Sequence, residues 1–232
     1  MEIIKNLKLI LAQNSILRKI YNIKYSILHF FGSYSQHRED IKVDNFLRNK
    51  NTGFYVDIGA NNPIGFNNTK RFYDKGWSGI NIEPNTRGYK LFLEKRKRDM
   101  NLNIGVSKKK GSLIFYQMEP DLLSTFSKED AMHNQKNGYK LIKKRKVSTL
   151  PLKKILDKYA KNKKIDFFSI DTEGYDLEVL KSNNWKKYKP KIIIVENVEH
   201  AGKEKPEIEQ YLEELNYKKV HKNNTNSIYQ LN

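Results

Sequence analysis

No cysteine occurs in the 232 residues, which excludes a disulfide scaffold, a thiolate zinc site and a thiol nucleophile. No uninterrupted apolar run approaches 18 residues, so the sequence offers no membrane-spanning helix. The glycine-rich G-x-G-x-x-G word of dinucleotide-binding folds is missing, and so is any H-x-H or paired His/carboxylate spacing that would define a tight metal site. Arginine is scarce: the 44 basic residues comprise 36 Lys and 8 Arg, against 26 acids, for a net charge of +18. Arginine is the preferred reader of phosphate and base edges, so a Lys-dominated excess permits an anionic partner without specifying nucleic acid. The mean hydropathy is low, at −0.76. Fourteen Tyr and eleven Phe nevertheless supply enough large apolar groups for one sizeable core.

Residues 1–33 read as an N-terminal amphipathic helical segment, with Ile16, Ile20, Ile23, Ile27 and Phe30 at helical spacing and Lys/Arg breaking the stretch. Such a segment packs on the domain, serves a homo-oligomer contact, or lies over residues 1–31 on an anionic membrane surface. Residues 34–232 read as one domain in which β-branched or aromatic runs alternate with amphipathic stretches. Strands are expected at Phe54–Ile58, Ser78–Ile82, Asn101–Ser107, Ser112–Met118, Lys146–Leu150, Ile165–Ile170 and Lys191–Val195, with helices at Phe66–Lys75, Thr86–Arg98, Leu152–Ala160, Tyr175–Ser182 and Pro206–Leu215. Tyr217–His221 and Ile228–Leu231 form a closing hairpin across Asn223–Asn226. This alternation predicts an α/β fold, doubly wound on a mainly parallel sheet, with one antiparallel strand inserted near an edge.

Four buried-looking runs end in an acid: Phe-Tyr-Val-Asp57, Gly-Ile-Asn-Ile-Glu83, Phe-Phe-Ser-Ile-Asp171 and Ile-Ile-Ile-Val-Glu196. In an open parallel sheet the ligand crevice lies at the carboxyl ends of the strands, so these acids should share one rim. Gly59 follows Asp57, where backbone can approach a ligand closely. A carboxylate at that turn repels a pyrophosphate but suits a ligand carrying an ammonium and a sulfonium. S-adenosylmethionine therefore fits and NAD fits poorly. Glu83, 24 residues after Gly59, is placed to accept ribose hydroxyls.

The words Phe-Tyr-Val-Asp-Ile-Gly-Ala-Asn (54–61), Asn68-Thr69, Lys75-Gly76-Trp77-Ser78-Gly79 and Ile82-Glu83-Pro84 resemble the FkbM-type S-adenosylmethionine-dependent methyltransferases. Asn103-Ile104-Gly105-Val106-Ser107, Ser124-Thr125-Phe126, Ser148-Thr149-Leu150 and the segment from Ile165 to Gly174 extend the resemblance, and Ser35-Gln36 with Glu39-Asp40 matches a short word that precedes the family's domain. Asn62-Pro63 departs from the pattern, standing where many members have Asp-Gly. The resemblance implies a class I methyltransferase (Rossmann-like) fold with a seven-stranded sheet, a cytoplasmic enzyme, and O-methylation of a sugar hydroxyl in a glycan, nucleotide sugar or glycosylated metabolite. It implies that Asp57, Gly59 and Asn61 hold the methionine end and Glu83 the ribose. Asn103 and Gly105 would flank the adenine, with Gln36 and Glu39 closing the pocket.

A weakly acidic sugar hydroxyl calls for a general base or a metal. Asp171 is the candidate base and Glu173 its orienter or a second metal ligand, with Glu196, Glu199 and His200 at the next rim position, where His200 is a further candidate base or ligand. A weak divalent ion is compatible with these acids, though no spacing demands one. The segment 136–164 holds twelve basic residues and a single acid, Asp157, which suits a carbohydrate acceptor carrying negative charge. An RNA methyltransferase is the rival reading, supported by charge. The sequence lacks both an Asp/Asn-Pro-Pro-aromatic word and an aromatic-rich platform for single strands, so nucleic acid is disfavoured.

Overall fold

The computed structural model describes residue 29 and residues 32–197 and 205–232. The first helical segment, apart from His29 and the turn at residues 32 and 33, lies outside the described residues, and so do Glu199 and His200. No helix among the described residues is long and apolar enough to cross a membrane.

The chain runs α1 (Glu39–Phe46), β1 (Phe54–Ile58), α2 (Lys70–Asp74), β2 (Ser78–Ile82), α3 (Thr86–Lys95), β3 (Met100–Leu102) and β4 (Gly105–Val106). It continues through β5 (Gly111–Glu119), a 3₁₀ turn at Asp121–Leu123, α4 (Lys128–Lys136), β6 (Lys140–Leu150), α5 (Leu152–Tyr159) and β7 (Phe167–Ile170). It closes with α6 (Asp176–Lys181), β8 (Ile192–Glu196), α7 (Pro206–Glu214), β9 (Tyr217–Lys222) and β10 (Asn226–Leu231).

Seven strands form the main sheet in the order β3-β2-β1-β7-β8-β10-β9. The strands from β3 to β8 pair in parallel, and β10 pairs antiparallel with both β8 and β9. The expected antiparallel insertion is thus β10. Strand alternation sends residues to opposite faces, and both faces are covered. Val56, Ile58, Phe168, Ile170, Ile193 and Val195 pack with Leu152, Ile155 and Leu156 of α5, Val179 and Leu180 of α6, and Ile208 and Leu212 of α7. Tyr55, Phe167, Ile192 and Ile194 form the second core with Val43 and Leu47 at α1, Phe72 of α2 and Trp77. Helix α5 shows the cause: its apolar residues stand three and four apart, while Lys153 and Lys154 stay exposed.

The expected third strand over Asn101–Ser107 is two strands. β3 joins the main sheet, whereas β4 leaves it to pair with β6 in a separate three-stranded sheet, β4-β6-β5. β6 runs from Lys140 and not from Lys146, because its lysine-rich half pairs with β5 as a two-stranded arm. The helix expected over Phe66–Lys75 is confined to Lys70–Asp74, since Asn67 and Thr69 are committed to hydrogen bonds with each other and with Asp57. Helices α1 and α4 carry little apolar patterning and are found only in the structure.

Candidate active site

A cavity of about 740 Å³ opens at the carboxyl ends of β1, β2, β7 and β8, and Asp57, Glu83, Asp171 and Glu196 all line it. The four rim acids do converge. Parallel strands all present the same end to one side, so an acid closing each apolar run is delivered to one place.

On one side, Asp57 is buried, with Oδ2 accepting hydrogen bonds from Thr69 Oγ1 at 2.9 Å and Asn67 Nδ2 at 3.1 Å. Burial pushes its carboxyl above the ordinary range, opposed by Thr69, the Arg96 guanidinium and Asn67. Arg96 itself is wholly buried behind the β1 loop. Its Nη2 donates to Asn67 Oδ1 at 2.8 Å, Nε to the Pro63 carbonyl at 2.9 Å and Nη1 to the Tyr55 hydroxyl at 3.0 Å. The departure at Asn62-Pro63 makes a closed turn, with Asn62 Oδ1 accepting the N–H groups of Ile64 and Gly65.

Gly59 sits at φ +77°, and a Cβ there would come within 1.8 Å of the Asp171 carbonyl oxygen, so glycine is required on two counts. Asn61, also left-handed at φ 52°, donates its N–H to Glu83 Oε2 at 2.6 Å. Asn85 N–H donates to Glu83 Oε1 at 2.6 Å. Burial raises the Glu83 pKa to about 7 against these two donors. Each Glu83 oxygen keeps a lone pair for a further donor. Asn103 does not line the cavity: its Nδ2 donates to the carbonyls of Glu83 and Pro84 at 2.8 and 2.9 Å, so it fixes the β2 exit from behind. Ile104, Gly105, Val106, Leu91 and Phe115 give this side an apolar wall.

On the other side, Asp171 follows β7 and is exposed, while Glu173 adopts a left-handed φ of 52°. The Glu173 carbonyl accepts from Thr125 Oγ1 at 2.7 Å, tying the loop to the segment between β5 and β6. Phe126 packs its ring 6.0 Å from that of Tyr175 in the same loop. Carboxylate oxygens of Asp171, Glu173 and Glu196 lie within 4.8 Å of one another and could together ligate a hard divalent cation. Burial lifts Glu196 to about 8, partly offset by Lys205. Lys205 Nζ bridges Asp176 Oδ2 at 2.7 Å and Glu196 Oε2 at 2.8 Å, and this pair of carboxylates outweighs the burial that would lower its pKa.

Gln36 lines the cavity as expected, together with Thr225 and Asn226. Glu39 does not. It is fully buried, with Oε1 accepting from Asn223 and Asn226 Nδ2 at 2.9 Å each, which corrects its expected place in the cofactor pocket. Helix α1 turns it toward the closing hairpin. The sequence reading missed Arg96, Asp176 and Lys205, which act across more than twenty residues of chain and carry no local signal. Thr125 and Asn226 were legible only as a motif residue and a turn residue, without their distant partners.

The donor set fits S-adenosylmethionine. A buried carboxylate could meet an ammonium, a second has lone pairs for ribose hydroxyls, an apolar wall suits a base, and glycine admits close backbone approach. A parallel five-strand sheet extended by an antiparallel pair, with its cleft at the strand carboxyl ends, is the class I methyltransferase fold. The methyltransferase FkbM domain model matches residues 57–219, and the chain belongs to that family. A chain from the crystal structure of a fibrillarin/Nop5p complex aligns at a TM-score of 0.39 and 14% identity, over 77% of this chain and 70% of that one. No curated protein matches at a significant level.

Proposed function

We propose that this methyltransferase uses S-adenosylmethionine to methylate a hydroxyl oxygen of a sugar. The observation that carries the reading is the division of one cleft into two sides. The first offers Asp57, Glu83 and an apolar wall. The second offers three clustered carboxylates flanked by the amides of Gln36, Asn68 and Asn226. Carboxylates and amides are the groups that hydrogen-bond a polyol, and Phe126 and Tyr175, which also line the cleft, offer apolar surface to a sugar ring.

Asp57 and Glu83 hold the cofactor, which supplies an electrophilic methyl group when bound. Asp171 would accept the proton that the acceptor hydroxyl loses as its oxygen bonds to the methyl carbon, the electron pair of the broken carbon–sulfur bond leaving on a neutral thioether. Glu173 and Glu196 orient the acceptor and keep Asp171 in place, and positioning carries much of the rate. Exposed Lys143, Lys144 and Lys146 on the arm beside the cleft favour an acceptor that carries negative charge, such as a phosphorylated, nucleotide-linked or acidic sugar.

Transfer of labelled methyl groups to methyl glycosides, nucleotide sugars and RNA tests the assignment. Sugar labelling is expected. Labelling of RNA alone would replace the sugar by a nucleic acid. The Asp171→Asn enzyme should bind cofactor within a few-fold of wild type while kcat falls by roughly 10²–10⁴. An unchanged kcat would remove Asp171 as proton acceptor.

A further inference from the structure

The Ser35-Gln36 and Glu39-Asp40 motif is a resemblance word whose buried acids the cofactor side leaves unused. Asp40 closes the segment on itself, accepting from Ser33 Oγ and Tyr34 N–H, both at 2.7 Å. Glu39 instead reaches across the chain to residues 223 and 226. Asn226 opens β10, stands in register with Glu196 of β8 and lines the cavity. Glu39 Oε1 accepts from Asn226 Nδ2, and this bond holds the amide nitrogen of Asn226 toward Glu39. The atom that Asn226 keeps for a ligand is Oδ1, which accepts no hydrogen bond among the described residues. Asn223 is set the same way, and its Oδ1 accepts the N–H groups of Thr225 and Asn226, fixing the turn that carries them.

We infer that the β8–β10 side of the cavity is the acceptor subsite, and that Glu39 is a positioning residue that presents Asn226 Oδ1 to a second hydroxyl of a polyhydroxylated acceptor. This rests on the sugar reading above. Asn226 lies beside the carboxylate cluster, so the hydroxyl it accepts from neighbours the one that is methylated. A vicinal diol meets both groups at once. A lone hydroxyl meets only one, and the pair therefore selects for polyols. Gln36, on the same rim, adds a donor and an acceptor from the segment that carries Glu39.

Glu39→Gln keeps size but lets the glutamine donate, so the Asn226 amide can invert. Saturation-transfer NMR on the full chain, loaded with S-adenosylhomocysteine, reads contact with methyl glycosides of glucose, galactose, rhamnose and glucuronic acid. Contact with at least one glycoside is expected in wild type. It should fall about fivefold to tenfold in Glu39→Gln and in Asn226→Ala, the scale of one hydrogen bond. The affinity for S-adenosylhomocysteine should stay within about twofold. Adding Asn226→Asp to Glu39→Gln restores an acceptor facing an amide donor and should return part of the contact. A deoxy glycoside lacking the second hydroxyl should lose nothing in the single variants, whereas a purely structural role would weaken both glycosides alike. Undiminished contact in both single variants overturns the inference and leaves the sugar reading standing. A parallel loss of S-adenosylhomocysteine affinity also overturns it. No glycoside contact in wild type fells the sugar reading and this inference together.

Discussion

Glu83 shows how burial and function pull one side chain in opposite directions. Its pKa is about 7 in the folded protein and near 4.5 when exposed, so the folded state binds the extra proton between those values. Stability from this group is therefore fully present below pH 4.5 and lost as pH rises to about 7, by about 3 kcal/mol. Chemical denaturation at pH 5 and pH 8 should show a drop in wild type that is smaller by about this amount in Glu83→Gln, the remainder coming from Glu196, which burial also raises. Cofactor affinity should run the other way, since only the ionised carboxylate accepts from both ribose hydroxyls. Calorimetry with S-adenosylhomocysteine is expected to show tighter binding at pH 8 than at pH 6, and a pH-independent affinity in Glu83→Gln would confirm the source.

At the scale of elements, the segment between β5 and β6 is hydrogen-bonded to the Glu173 loop through the Thr125 hydroxyl. Thr125 is buried, donates to the Glu173 carbonyl and accepts from Ser127 N–H. Thr125→Val leaves both partners unsatisfied, at a cost of about 1–3 kcal/mol. Glu173 occupies a left-handed φ that needs such support, so kcat should fall more steeply than the loss of stability alone explains. Thr125→Ser should recover both rate and melting temperature. A Thr125→Val enzyme with normal kcat would show that Glu173 holds its pose without the clasp.

The central strands β1, β2, β7 and β8 were legible because each is a largely apolar run bounded by turn residues, and the rim acids were legible because each closes such a run. The arm was not. Lys140 to Lys146 contains only two apolar residues, Leu141 and Ile142, and pairing with β5 rather than burial makes it a strand. Helix α4 reads Lys-Glu-Asp-Ala-Met-His-Asn-Gln-Lys, with Ala131 and Asn134 as its buried residues, so periodicity had nothing to register. Glu39 and Asn103 were recognised as motif residues but placed one layer too close to the ligand. A motif fixes residue identity, while the direction of a side chain is set by contacts such as those to Asn223, Asn226 and the Glu83 carbonyl.

At the scale of the molecule, part of the +18 charge lies where it can act. Lys143, Lys144 and Lys146 are exposed on an arm whose Ile142 lines the cavity. Reversing the three lysines to Glu should raise KM for an anionic acceptor, with the difference shrinking as salt rises, and leave S-adenosylhomocysteine affinity unchanged. A flat KM across that series would make the charge a matter of solubility alone.

The order of strands in the sheet differs from their order along the chain, and this has a consequence for biosynthesis. β10 is made after β9 yet lies inside it, against β8. Until residues 226–231 emerge from the ribosome, Ile192–Val195 presents an unpaired apolar edge, a template for intermolecular pairing. The same residues bring Asn226 to the cleft, so a nascent or truncated chain would be sticky before it could be selective. Chaperone capture of stalled chains should end when β10 clears the exit tunnel.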